Sequence, residues 1–518
     1  MVKLEDLTLR EKICQTVIIN HPQEMFKKYG GYKNFLEKYP VGGLYLGGAI
    51  VGGPMDGADE FFSEQEEWNK CLKVPYINCC DNPAPGLPSI NSMALGATDD
   101  EELAYQWGCD MGRICRRNKI HWLFAPVSDL TLSATAPINT RTVGDSPERS
   151  ARLCAARIRG LQKYGVIATS KHYPGMGRES IDTHIAPVPV HLTKEEWDAT
   201  YRKIYKHLID EGVGSFMTGH MSLASYQPNE RNERGLYRPG TVSHDLITKL
   251  LRDDLGFNGV VVTDGLIMGG FGGSSCELEI EAFKAGNDML LWPNMEYVDI
   301  LEEKILSGEI SEELLDEKVR RILAAKEFAF APCNETDVEE YHMPEIIQSI
   351  CEKSVALFNN YQNLLPLEKD KYKKILLVAL HPREQVAKEL QALKEDLEER
   401  GFEVTLVPNL WIPKLRELEP QHDLTIFAFY EGINGTDGSF ALHGDTVVNI
   451  WAAQASDPSK TIIAGFGSPY FYTQYFHHID TYVHTYDYAK PSREAFVKAI
   501  LGELPFEGIC TINIEKNI

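Results

Sequence analysis

Through the first two thirds of the chain, short apolar runs alternate with stretches whose apolar positions recur at helical spacing. The runs are CQTVIIN (14–20), GGLYLG (42–47), PYINCCD (75–81), HWLFAPVSD (121–129), VIATSKH (166–172), GSFMTGHM (214–221), GVVVTDG (259–265) and NDMLLWP (287–293). They are nearly continuous in apolar residues, as strands buried on both faces must be. Segments such as SPERSARLCAARIRGLQKYG (146–165) separate them and carry the helical pattern. Eight strands alternating with helices predict a parallel sheet closed into a (β/α)8 barrel. Polar residues gather at the carboxyl ends of these runs: Asp81, Asp129, Lys171 with His172, His220 and Asp264. Scattered surface charges would not recur at one end of successive strands, and that end is where barrel enzymes build their sites.

ISEELLDEKVRRILAAKEF (310–328) reads as a closing helix with Ser311 as its N-cap. The polar stretch APCNETDVEEYHMP (331–344) follows and marks a domain boundary. We therefore expect a barrel over 1–335, a linker over 336–344 and a second domain over 345–518. The second domain opens on a helix and then offers KKILLVALHP (373–382), FEVTLVPN (402–409), DLTIFAFYEG (423–432) and KTIIAGFGSPY (460–470), separated by helical patterns such as REQVAKELQALKEDLEER (383–400). This predicts a smaller, sandwich-type α/β domain.

Composition narrows the partners. Of 518 residues 43% are hydrophobic and 25% charged, as in ordinary globular chains, but the formal net charge is -23. A surface this acidic repels nucleic acid and anionic membranes. The opening MVKLEDLTLREKICQTVIIN has acidic residues before a short apolar run, unlike a secretory signal. No run approaches the roughly 18 apolar residues of a membrane helix. The 11 cysteines lack paired metal-ligand spacing. They read as free, mostly buried thiols in a reducing, cytoplasmic setting.

The densest chemistry lies in KHYPGMGRESIDTH (171–184), where two glycines and a proline interrupt six residues that are charged or histidine. Such a stretch is a loop, and its glycines let it swing. Asp182 and His184 stand two apart. In an extended loop they would face the same way, so the carboxylate could fix the imidazole for proton transfer. The plainer reading is an Asx-type turn in which Asp182 bonds its own backbone. Asp264 follows a β-branched strand and precedes Gly265, so it either projects at the rim or caps the next helix. Lys171 and His172 could bind hydroxyls of a polar ligand, or one of them could be a satisfied buried group. Arg141 and Asp145 could form no more than a surface ion pair.

Taken together these pieces resemble family three glycoside hydrolases, in the β-N-acetylglucosaminidase branch. KHYPGMGRESIDTH looks like the branch's K-H-F/Y-P-G-x-G…D-S/T-H signature. VGGLYL, INTRTVGDSPE, GFNGVVVTDGLIMGG and AGNDMLL are similar to further family segments, in the same order. SVALFNNYQNLLPL, GFGSPY and FVKAILGELPFEG extend the likeness through the second domain. The resemblance implies a retaining β-N-acetylglucosaminidase acting on a terminal non-reducing β-linked sugar, with no cofactor and no metal. It implies Asp264 as nucleophile, His184 as general acid and base, and Asp182 as its orienting partner. It also implies that Asp81, Arg141, Lys171 and His172 hold the sugar, with Asp145 supporting Arg141. The second domain would then have a structural or docking role.

The chain also departs from the family. CDNPAPGLPSIN keeps Asp81 but not the arginine that often follows, and Met176 stands where the branch has histidine, with Arg178 beyond Gly177. These changes bear on the aglycone side. Other readings are a phosphorylase that resolves the same intermediate with phosphate drawn by Arg178, a β-glucosidase, and a non-catalytic sugar-binding protein. A metal-dependent barrel hydrolase using His172, His184, His220 and an aspartate is a more remote one. Glu179 is the substitute acid should His184 only bind.

Overall fold

All eight apolar runs of the first part form strands in the computed structural model, and the strands are parallel. The structure describes residues 2–20, 22–47, 58–81, 89–273, 275–333, 342–432, 442 and 444–515. The strands are β1 (Val17–Ile19), β2 (Gly43–Tyr45), β3 (Ile77–Cys80), β4 (Trp122–Leu123), β5 (Ile167–Tyr173), β7 (Ser215–Thr218), β9 (Val260–Thr263) and β10 (Leu290–Leu291). They pair in the order β10-β1-β2-β3-β4-β5-β7-β9. Met289 brings the two ends together: its C=O accepts from Thr263 N–H and its N–H donates to Val261 C=O, both at 3.1 Å. The sheet is thus a nearly closed (β/α)8 barrel, as the alternation predicts. Its core joins Ile18, Ile77, Trp122, Ile167, Met217, Val260, Val262 and Leu291.

Two short strands lie outside the predicted set. β6 (Val188–Val190) and β8 (Met221–Leu223) form a small parallel ladder of their own. The helix Glu312–Ala329 starts where the sequence places it, with Ser311 Oγ accepting from Leu314 N–H at 3.3 Å.

By contacts the chain divides into two units, but not at one point along the sequence. The first is 1–87, 104–129 and 154–342; the second is 88–103, 130–153 and 343–518. A linear division at the polar stretch would place 88–103 and 130–153 with the barrel, whereas their contacts group them with the second unit. The linker expected over 336–344 falls largely outside the described residues.

In the second unit a six-stranded sheet runs β11-β16-β15-β14-β12-β13. The predicted strands are β12 (Lys374–Ala379), β13 (Glu403–Val407), β14 (Leu424–Phe429) and β15 (Thr461–Gly465). β16 (Thr481–His484) extends the parallel run, and β11 (Ala356–Asn360) adds an antiparallel edge. Glu431 lies just beyond β14 and is 8% exposed. Burial pushes its carboxyl up to about 8 although Arg383 pulls the other way. The unfolded chain ionises this group near 4.5, so folding takes up a proton at intermediate pH, and the group's contribution to stability falls as pH rises from about 5 to 8. Glu431→Gln is expected to flatten that decline and to melt above the parent at pH 8. Thermal unfolding at pH 5 and pH 8 measures this, and an unchanged slope would assign the pH dependence elsewhere.

Candidate active site

Near the end of β5 stand Lys171 and His172, which are 5% and 7% exposed. Lys171 Nζ pairs with Asp81 Oδ1, and Tyr45 OH donates to the other oxygen at 2.7 Å. This chain ties the ends of β2, β3 and β5. His172 Nδ1 lies 2.7 Å from Asp129 Oδ2, which also accepts from His172 N–H at 3.0 Å. Asp129 Oδ1 accepts from Met176 N–H at 3.0 Å. A fully buried carboxylate is costly without donors, and these three supply them. Facing a carboxylate, Nδ1 carries the proton, which fixes the tautomer and orientation of His172.

Asp264 directly follows β9. Its N–H donates to Thr218 C=O at 2.9 Å and its Oδ1 accepts from Gly265 N–H at 2.8 Å. Burial alone would raise its carboxyl. Coulombic attraction to His172, the hydrogen bond from Gly265 N–H and the charge of Lys171 outweigh that and hold it below the ordinary aspartate value. Asp264 is therefore ionised at neutral pH.

His220 is fully buried beside it, with Nε2 2.9 Å from Gly265 C=O and Nδ1 2.8 Å from Thr241 Oγ1. A carbonyl only accepts, so Nε2 carries the proton, and burial keeps the ring neutral. A side chain on Gly265 would come 2.9 Å from the Trp292 ring, so glycine lets that indole approach. Trp292 also meets Tyr45 edge-on at 5.1 Å between ring centroids.

The loop from Pro174 to Ala186 is anchored along its length. Pro174 C=O accepts from Trp197 Nε1 at 2.8 Å, and Met176 C=O accepts from Tyr201 OH at 2.6 Å. Gly175 has φ +106 and a side chain there would meet the Tyr201 ring at 2.4 Å, so only glycine fits. Glu179 accepts from the N–H groups of Arg178 and His191, both at 3.2 Å. Arg178 Nη1 reaches Glu196 Oε1 at 3.2 Å.

Asp182 and His184 do not lie in extended chain. They sit in a turn, where Asp182 C=O accepts from Ile185 N–H at 3.0 Å. Asp182 Oδ1 accepts from His184 N–H at 2.9 Å and lies 2.6 Å from His184 Nδ1. The Asx turn and the carboxylate–imidazole pair, alternatives in the sequence, are thus realised by the same oxygen. The Asp182 side chain is 8% exposed and that of His184 is 53% exposed. His220 holds Gly265, next to Asp264, and its Cβ backs Gly270, whose N–H donates to Thr183 C=O at 2.8 Å, so the Asp182–His184 turn, His220 and Asp264 share one neighbourhood.

The profile of the glycosyl hydrolase family 3 N-terminal domain matches residues 8–325. The chain belongs to glycosyl hydrolase family 3. It is 28% identical over 454 residues to a Cellulomonas fimi protein named β-N-acetylglucosaminidase/β-glucosidase, covering 81% of this chain and 78% of that one. It is 30% identical over 212 residues to a β-hexosaminidase of Shewanella frigidimarina, covering 40% of this chain and 59% of that one. Two solved structures share the fold. One is a β-glucoside phosphorylase, at TM-score 0.83 and 24% identity, covering 99% of this chain and 95% of that one. The other is a family 3 β-N-acetylglucosaminidase from Paenibacillus sp. str. FPU-7, at TM-score 0.79 and 24% identity, covering 98% and 99%.

Within this family 3 glycosidase the structure brings together Asp81, Lys171, His172, Asp182, His184 and Asp264. Arg141 is exposed on the turn Asn139–Arg141, within the second unit. The carboxylate of Asp145 accepts from Asn513 N–H at 2.7 Å. The stretch after Asp81, where the family arginine is missing, lies outside the described residues. Among the described residues no three His, Cys, Asp or Glu side chains cluster as a metal site requires. Sequence reasoning noted Asp129 and His220 on the rim without seeing their tasks, and it missed Tyr45 and Trp292 as site residues. Asp129→Ala should lower stability by about 2–4 kcal/mol, because it strands the His172 ring and two backbone N–H groups. Denaturant unfolding measures this, and a loss under about 1 kcal/mol would mean that water replaces the carboxylate.

Proposed function

We propose that the chain is a retaining, exo-acting β-N-acetylglucosaminidase. The observation that carries this reading is the Asp182–His184 turn, which holds a paired, half-exposed imidazole in the same neighbourhood as the ionised Asp264. The names of the Cellulomonas fimi and Shewanella frigidimarina relatives agree with it.

Asp264 attacks the anomeric carbon and forms a glycosyl ester. His184 gives its Nε2 proton to the departing glycosidic oxygen. It then takes a proton from the water that attacks the ester. Asp182 stabilises the imidazolium before that first transfer and keeps Nε2 directed outward. The imidazole replaces the second carboxylate that retaining glycosidases ordinarily use. Asp81, Lys171 and His172 hold hydroxyls of the sugar, Asp81 and Lys171 through the chain they form with Tyr45 and His172 through the tautomer that Asp129 fixes.

A second reading, phosphorolysis, draws on the same imidazole, since a neutral base does not repel an anionic acceptor as a glutamate would. Arg178, the residue expected to attract phosphate, is instead paired with Glu196. Hydrolysis is therefore the reading we adopt.

A 2-fluoro sugar with a good leaving group is expected to label Asp264, and Asp264→Asn to abolish turnover with the fold intact. A mass shift on another carboxylate would move the nucleophile. His184→Ala should cost roughly 10²–10⁴-fold on a natural sugar leaving group but little on a dinitrophenyl glycoside, whose departure needs no proton. Equal losses would make His184 a binding residue. Aryl N-acetylglucosaminide, glucoside and galactoside, each assayed with and without phosphate, fix the sugar. Free sugar from the preferred substrate supports hydrolysis, and sugar 1-phosphate would replace it with phosphorolysis.

A further inference from the structure

Two consecutive amides behind the nucleophile loop bond to the backbone of the Asp182–His184 turn. Gly269 N–H donates to His184 C=O at 2.9 Å, and Gly270 N–H donates to Thr183 C=O at 2.8 Å. Neither glycine has left-handed backbone; the positive φ values of this loop are at Gly272 and Gly273. Glycine is required here by space. A side chain on Gly269 would come 2.1 Å from Ile185 O and 3.2 Å from His184 O. One on Gly270 would come 2.4 Å from Thr183 O and 3.0 Å from His220 Cβ. The atoms in the way are mostly backbone of the turn itself, so a methyl group at either place must push the turn away.

His220 braces the other side of the same loop. Its ring holds Gly265, next to Asp264, and its Cβ backs Gly270. The segment from Asp264 to Gly270 is thereby fixed at both ends, one carrying the nucleophile and the other carrying the dyad.

We propose that Gly269 and Gly270 are positioning residues. Their bare amides dock the Asp182–His184 turn onto the nucleophile loop, so that the spacing between nucleophile and proton donor is set by backbone contacts. This inference rests on the reading of His184 as acid and base. A general acid works only within hydrogen-bond reach of the oxygen it protonates, and a misplacement of about 1 Å costs on the order of 10²-fold.

Gly269→Ala is the sharper variant, because Gly269 is exposed and its added methyl meets the turn and not the core. The purified variant is compared with the parent, with His184→Ala and with the double variant on a series of aryl glycosides. We expect Gly269→Ala to lose roughly 10–100-fold on the poorest leaving groups and to stay within about 3-fold on the dinitrophenyl glycoside. Azide should speed its glycosyl-enzyme breakdown. In the His184→Ala background Gly269→Ala should cost nothing further, since the group it positions is gone.

A uniform loss on all leaving groups, no loss at all, or full additivity with His184→Ala would each overturn the proposal. If His184→Ala itself shows no leaving-group dependence, the assignment of the acid fails instead, and the two failures are distinguishable. Hydrogen exchange on the parent enzyme tests the docking without any substitution. The Gly269 and Gly270 amides should exchange slowly, and exchange at the rate of open loop amides would sink the idea even if Gly269→Ala did not fold.

Discussion

Closure of the barrel between β9 and β10 is the constraint on which the site depends. Met289 supplies both the donor and the acceptor that join Thr263 and Val261 across the seam. Once the seam is made, every parallel strand ends on one rim, and the residue after each strand is delivered there. Asp81 after β3, Lys171 and His172 near the end of β5, and Asp264 after β9 come from segments up to 183 positions apart in sequence (264 − 81).

The charges on that rim then determine one another. Asp264 is partly buried, which by itself disfavours its ionised form, yet His172, Lys171 and the Gly265 N–H keep it charged. Lys171 is in turn partnered by Asp81, and His172 by Asp129. Only His184 has a largely exposed ring among the histidines in this neighbourhood, and its Nδ1 is bound to Asp182.

Much of this was legible in the sequence. The eight barrel strands were legible because burial on both faces leaves them almost purely apolar. β6 was hidden because Val188–Val190 is three residues long with a proline at its centre, and β11 because Asn359 and Asn360 dilute its pattern. Asp182 and His184 could be paired from spacing alone, although the geometry expected for them was extended and the real one is a turn. The partner of His172 could not be read, since Asp129 lies 43 positions away and only the packing of β4 against β5 brings it near. Arg141 shows the same limit in reverse: it sits between barrel elements in sequence, but its contacts group it with the second unit.

The two histidine–aspartate pairs differ in a way that bears on how this site could arise and persist. His172 and Asp129 depend on the assembled barrel, whereas Asp182 and His184 are two residues apart and close within a single turn. Closing so short a loop carries little entropic cost, so the pair needs almost nothing from the rest of the chain to align. It is a portable cassette. Sequence drift in the surrounding barrel can shift where the pair points without breaking it, and exchange of the loop can carry the pair, already aligned, onto another member of the fold.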